Sequence, residues 1–387
     1  MPTTNEELFD AMLRRQIGIL GYNAGLTERI MSILNKSETA VRGELGERLE
    51  NILAGGEYNK TAARRLAVLT AAIVRIRGGA YDAIEALMVK EYKALNMQEA
   101  LYVKSSTEAL TPVYLNMKVP SKFTLDALID KPFEGRALKG WTQYLSDRDI
   151  DRIMARVKIG MVQGHSATEI VTNILGTKNL KGVNGLTQTS RRELTHIART
   201  ATNFFGNQAR RRAFMENEDI YSEEKYIATL DSRTTIRCMS LDGNTYAVGD
   251  GPYPPVHVNC RSVRVALVTP DLIGHRPFNA AGKKQLLTEY SKKAGFKKVP
   301  LTRDGLPRGH KGKYDAFARV RGRELIGRVP AKTTYEQFLR RQTPAFQDSV
   351  LGKARGKLYR DGKVPLERFV DVTGKQYTLA ELAVREL

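Results

Sequence analysis

Apolar residues recur every three to four positions through the first hundred residues. Leu8, Met12 and Leu13, then Ile17, Ile19 and Leu20, line one such face, the period of an amphipathic helix and not of a strand. Residues 62–76 are rich in Ala, Leu and Arg, all good helix formers. Gly78-Gly79 predicts an interruption, after which Tyr81, Ile84, Leu87, Met88 and Tyr92 resume the period. Stripes of this kind are core or partner-helix faces, so residues 1–140 read as a helical bundle with a docking face. Its last part, residues 111–140, carries Pro112, Pro120 and Pro132 and reads as irregular.

Three further helices are predicted from their starts. Ser146 with Asp149, Ser166 with Glu169 and Ser190 with Glu193 each set a capping hydroxyl three residues before a carboxylate. Behind them run Ile150, Ile153, Val157 and Met161, then Ile170 and Ile174 closed by Gly176, then Leu194, Ile197, Ala201, Phe204 and Phe205. The outer face of the third helix is expected to carry Arg191, Arg192, Arg199, Arg210, Arg211 and Arg212. The period then shortens. Residues 225–230 read as a strand, and Val263, Val265 and Leu267 alternate as its return. A short antiparallel sheet packed on the third helix makes residues 141–270 a compact α+β module.

Beyond Pro270, glycine and basic residues dominate to about Lys332, which predicts a partly extended, mobile arm. Short helices follow, opened by Thr333 with Glu336 and by Thr378 with Glu381, with another ending in Phe346, Val350, Leu351 and Gly352. Residues 271–387 thus form a basic arm and a helical tail. The fold class is mainly α with a small α+β module.

Charge changes this picture. The formal net charge is +20 with a pI of about 9.8, and residues 271–387 hold 26 lysines and arginines against 12 acids. A single-sign field of this size implies contact with a polyanion. Candidate phosphate contacts are Lys283, Lys284, Lys292, Lys293, Lys297, Lys298, Arg308, Lys311, Lys313, Arg319, Arg321 and Arg323. They would hold double-stranded DNA without sequence preference; a basic protein-docking tail is the competing reading. No run approaches the ~18 apolar residues that cross a bilayer, and the first residues lack a secretory h-region, so no membrane is expected. Two cysteines in 387 residues do not make a disulfide scaffold, and a reducing cytoplasm is the expected compartment.

Candidate chemistry concentrates in residues 231–261, which hold both cysteines and one of five histidines. Asp242-Gly243-Asn244 reads as a tight turn, and Gly249, Gly251, Pro252, Pro254 and Pro255 exclude a regular helix. Cys238, His257 and Cys260, with Asp231 as a fourth ligand, suit zinc, because thiolate and imidazole fit its tetrahedral preference. Against this stand two buried thiols acting as small hydrophobes beside a backbone-bonded His257. A Cys/His nucleophile is a further reading. So is a divalent ion held by Asp231, Asp242 and His257 for phosphodiester cleavage, although a pair of metal-binding carboxylates is missing. Arg233 and Arg261 are phosphate contacts or, alternatively, fix the loop.

Several of these words recur together. RTATN at residues 199–203 is followed by TLDSRT at residues 229–234, Cys238, Leu241-Asp242-Gly243, GPYPP at residues 251–255, His257 and Asn259-Cys260-Arg261. The set resembles the phage head morphogenesis family, the Mu F-like minor head proteins of tailed phages. The likeness extends to Tyr335, Phe338, Gln342, Phe346, Gln347, Leu351, Gly352 and Arg355, with weaker words at residues 132–135 and 163–167. It is best from Trp141 onward. Arg199, Asp231, Arg233, Thr234, Asp242, Gly243, Pro254, Pro255, Asn259 and Arg261 form the motif it brings.

The resemblance implies a low-copy, non-enzymatic head protein of the virion interior near the portal vertex. Such a protein is assembled in the host cytoplasm with the portal protein and the major capsid or scaffolding protein, and is associated with DNA organisation or ejection. Where the family often continues His-x-x-Cys-Arg-Cys, this chain has Ser262. The alternative from another class is a metal-dependent nuclease or other metal enzyme carried in the virion.

Overall fold

The computed structural model describes residues 4–54, 60–111, 115–177, 179–180, 182–268, 275–371 and 374–386. Pro112 and Pro270 fall outside them, as do the side chains of Lys283 and Lys284.

Two long helices open the chain, α1 (Thr4–Leu53) and α2 (Lys60–Leu110). They lie antiparallel, as Tyr102 Oη bonding the Ala11 carbonyl and Arg65 bonding the Asn51 carbonyl show. The predicted interruption at Gly78-Gly79 does not occur. A helical glycine costs about 1 kcal/mol against alanine, and the buried Ile73, Arg77, Ala80 and Tyr81 on either side hold the helix through it. At one end of the hairpin Phe9, Leu26, Ile30, Tyr81, Met88 and Tyr92 share a core with Phe204 and Phe205. At the other, Val41, Leu45, Leu69 and Ile73 pack with Ile153, Val157, Ile170 and Ile174.

Those last four come from α4 (Leu138–Val162) and α5 (Ala167–Leu175), reached through the single-turn α3 (Lys122–Asp126). Ser166 and Glu169 make the expected capping box, and Gly176 ends α5. The other two expected caps are not caps. Ser146 lies inside α4, and Ser190 inside α6 (Thr187–Met215). Asp149 is 1% exposed and receives the Arg77 guanidinium and the Ser190 hydroxyl. Asp149 and Ser190 thus meet across two helices in a buried polar joint, and Glu193 instead takes Arg152. Arg210 departs from expectation too. It is 1% exposed, and its Nε donates to Glu99 at 2.7 Å on α2.

The chain then makes two small sheets. β1 (Glu223–Ile227) lies between β3 (Thr245–Tyr246) and β4 (Val263–Leu267), both antiparallel to it, with Tyr226 opposite Arg264. This is the predicted return strand. The second sheet takes β2 (Leu230–Asp231) parallel to β5 (His275–Asn279), which pairs antiparallel with β6 (Ile326–Pro330). Between β2 and β3 sits α7 (Ile236–Leu241).

The expected extended arm is folded instead. α8 (Lys283–Lys293) packs on α9 (His310–Glu324) through Leu286, Leu287, Tyr290, Leu306 and Tyr314. Burial of these few apolar side chains suffices to order a stretch whose composition is glycine-rich and basic. α10 (Tyr335–Arg340), α11 (Pro344–Leu351), α12 (Lys353–Arg360) and α13 (Leu379–Glu386) complete the chain. Phe338, Phe346, Phe369 and Leu382 build their core together with Leu230, Ile236 and Met239 of the preceding segment. The α10 cap is Thr334 with Gln337, one residue beyond the expected pair. Thr378 and Glu381 exchange the predicted capping bonds. The molecule is thus mainly α with small sheets. No helix among the described residues is long and apolar enough to cross a membrane.

Candidate functional site

Residues 231–261 are held from three sides. The Thr235 hydroxyl accepts from the Cys238 amide and starts α7, turning Cys238 inward. Gly243 has φ +88° in the predicted turn, where a side chain would also meet Thr334. Asn259 has φ +61°, and the Cys260 amide bonds the His257 carbonyl across this second turn. α6 fixes that turn from below. Thr200 accepts from the Asn259 amide at 2.9 Å, and the Asn203 side chain donates to the Cys260 carbonyl at 3.0 Å.

The two turns bring three soft donors together. Cys238 Sγ lies 3.1 Å from His257 Nε2 and 3.7 Å from Cys260 Sγ, and the three ligand atoms lie within 4.8 Å of one another. Both cysteines are 1% exposed and His257 is half-buried. Tyr226, Ala228 and Val256 pack around the sulfurs, the Tyr226 hydroxyl 3.5 Å from Cys238. The hydrogen bond between the sulfurs, with burial second, pushes Cys238 up; the same bond, helped by His257, holds Cys260 well below the usual thiol range. One proton shared by two sulfurs is the physical content. Burial opposes charge on His257, but the hydrogen bond and charge of Cys260 outweigh it and raise its pKa.

Asp231 is not a member of this cluster. Its carboxylate takes both Arg261 nitrogens at 2.6 and 2.7 Å, the Arg233 amide at 2.9 Å and the Thr234 hydroxyl at 3.2 Å. Tied to Arg261, Arg233 and Thr234, it stands outside the Cys238–His257–Cys260 group and is not the expected fourth ligand. Burial works against its charge, yet Arg261 holds its carboxyl below the usual range.

Asp242 is closed in the same way by Arg276, at 2.8 Å for each of two bonds, and also accepts the Ala228 and Tyr335 amides. Asp231, Asp242 and His257 therefore do not converge on one ion. Arg261 and Asp242 are frame residues, while Arg199 bonds Asn259 at 3.2 Å. The Arg233 side chain is 77% exposed. Arg199, Arg233, Arg261 and Asn259 line one side of an open hollow of about 540 Å³ facing α1. Pro254 and Pro255, joined by a cis peptide, lead the chain back toward His257.

Sequence reasoning missed three of the frame residues. Arg264 and Glu224 face each other at 3.0 Å, both fully buried, with Arg264 between the Tyr246 and Tyr253 rings. Burial pushes the Glu224 carboxyl up, with Arg264 opposing. The signal was present: an arginine between Val263 and Val265 in a strand buried on both faces needs an acid opposite. Arg276 carried no such signal, lying in what reads as an arm.

Among the candidate phosphate contacts, Lys292, Lys293, Lys297, Lys298, Arg308, Lys313, Arg319 and Arg323 are exposed. Lys311 and Arg321 are not free, since they pair with Asp304 and with Glu289 and Glu324.

Neither a curated protein nor a solved structure matches the chain. Residues 151–265, from within α4 to β4, match the family model described as Phage Mu protein F like protein. The matched span contains the Cys-His-Cys cluster and the Asp231–Arg261 pair, and stops short of Arg276. Over that span the chain is similar to the head morphogenesis proteins of the Mu F type, a structural family.

Proposed function

We propose that the protein is a minor structural component of a tailed-phage head, carried in the virion near the portal vertex. It assembles in the host cytoplasm with the portal protein and the major capsid or scaffolding protein. The observation that carries this reading is the family match over residues 151–265. Three acids of that span agree with it: Asp231 and Glu224 are closed by Arg261 and Arg264, and Asp242 by Arg276 from beyond it, so none of the three is open to an ion.

Two surfaces supply the finer parts of the proposal. The N-terminal hairpin leaves Ile17, Val68, Val74 and Leu101 between 46% and 58% exposed, apolar positions suited to a protein partner. The exposed basic residues of α8, α9 and their connection then contact packaged DNA through counterion release and aid its organisation or ejection.

Co-expression of the full chain with portal and major capsid proteins tests the assignment. Particles fractionated on a gradient are expected to carry the chain only when the portal protein is included. A chain that stays at the top of the gradient beside portal-containing particles overturns it.

A further inference from the structure

We propose that Cys238, His257 and Cys260 bind one zinc ion, which clamps the turn at residues 257–260 onto α7. The inference rests on the geometry of the cluster and not on a role in head assembly.

Spacing is the first argument. Two thiolates on one tetrahedral ion, each about 2.3 Å from it, stand about 3.8 Å apart. Cys238 and Cys260 stand 3.7 Å apart, whereas a disulfide would require about 2.05 Å. These are the only two cysteines in the chain, and two turns of different origin bring both to one point.

The imidazole supplies the second. Its Nδ1 lies 2.8 Å from the Val258 carbonyl, a partner that can only accept, so the proton sits on Nδ1. Nε2 is left with its lone pair toward Cys238 at 3.1 Å. A histidine fixed by a backbone carbonyl on one nitrogen, with the other aimed at two sulfurs, has the orientation of a metal ligand.

The third argument is what the loop lacks. Between α7 and β4 the chain runs from residue 242 to residue 262 with only the two-residue β3 as regular structure. Around the sulfurs the apolar cluster is small: Tyr226, Ala228, Val256 and the cysteines are buried, with Leu241 and Tyr246 partly buried against them. A metal clip is a common means of fixing a long loop over so small a core.

Sulfur and imidazole donors select zinc over magnesium or calcium. On binding, the proton held between the two sulfurs leaves to solvent and the two thiolates neutralise the divalent charge, so no net charge is buried. Asp231, turned onto Arg261, is not among the atoms that converge here and supplies no fourth ligand. A solvent molecule on the half-buried His257 side completes the tetrahedron.

The full-length chain is purified in reducing, chelator-free buffer with zinc present, desalted, and assayed by elemental analysis and by colorimetric release with a mercurial. The expected result is about one zinc per chain, released when the thiols are titrated, with His257→Gln and Cys260→Ser losing nearly all of it. Cobalt exchanged into the unmutated protein gives a second reading that needs no variant. It should show intense thiolate-to-cobalt absorption in the near ultraviolet and tetrahedral bands in the visible. Absence of both zinc and thiolate-to-cobalt absorption in the reduced, folded protein overturns the proposal. So does zinc that survives in a folded Cys260→Ser protein.

Discussion

At the scale of single residues, this protein is organised by arginines that are out of water. Arg77, Arg210, Arg264 and Arg276 are each no more than 2% exposed, and each meets a buried carboxylate on a different element. Losing one member of such a pair strands the other and costs about 3–5 kcal/mol. Arg276 bonds Asp242 twice and also donates to the Ala228 and Thr333 carbonyls. Arg276→Ala is therefore expected to lower unfolding stability by about that amount in a denaturant titration. Arg276→Lys should recover little of it, because an ammonium does not reproduce the two-pronged bond to Asp242.

Asp231 gives a pH-dependent counterpart. Its folded pKa is depressed, so its contribution is fully present above the unfolded value of about 3.9 and fades as pH falls through the folded value. Between pH 5 and the acid limb, the unmutated protein should lose stability more steeply than Asp231→Asn. Parallel curves for the two would show that the Arg261 pair contributes no such linkage.

At the scale of elements, what the sequence disclosed followed a simple division. Periodic apolar stripes and turn chemistry were readable: helix through the first hundred residues, without the break expected at Gly78-Gly79, the β1–β4 pair, with β1 at Glu223–Ile227 and not over residues 225–230, the Asp242-Gly243-Asn244 turn and the Ser166 and Thr378 caps. Long-range partners were not. Ser146 and Ser190 have cap-like spacing but lie inside helices, and Ser190 bonds Asp149 of another helix and not the Glu193 three residues on, a partner that chain order does not reveal. Of the site, the Cys238, His257 and Cys260 meeting was legible from residue type. The exclusion of Asp231 was not, since nothing in the chain order says that Arg261 claims it.

The largest misreading was the arm, where glycine and lysine content concealed a helix pair. α9 holds Gly312 and Gly322 within it, yet Tyr314 and Phe317 face Tyr290 at ring distances of 5.5 and 5.7 Å. Brief trypsin digestion of the native chain should accordingly spare the many basic sites of residues 311–323. Rapid cleavage throughout that stretch would return it to an extended state.

At the scale of the whole molecule, charge decides how it meets DNA. Eight of the candidate lysines and arginines are exposed, while Lys311 and Arg321 already hold acids. Each phosphate neutralised changes the slope of log K against log salt by about 0.9. Replacing Lys297, Lys298, Arg308 and Lys313 together by Ala should reduce that slope by up to about 3.6, and by equal amounts on two unrelated duplexes. Arg321→Ala should instead leave the slope nearly unchanged and loosen α9 against α8. A slope insensitive to the first set would make this face a surface for proteins.

Gln16 on α1 bonds Asn203, Arg210 and the Arg261 carbonyl, partners 187, 194 and 245 residues further along. A ribosome adding roughly 5–20 residues per second therefore finishes the first helix on the order of ten seconds or more before the last of these exists. Through that interval the inward side of α1 is a nascent surface, lacking the helix and strand that later seal it. Any companion that competes for this side must arrive during translation. Once the chain has passed Arg261 and closed, the opportunity ends.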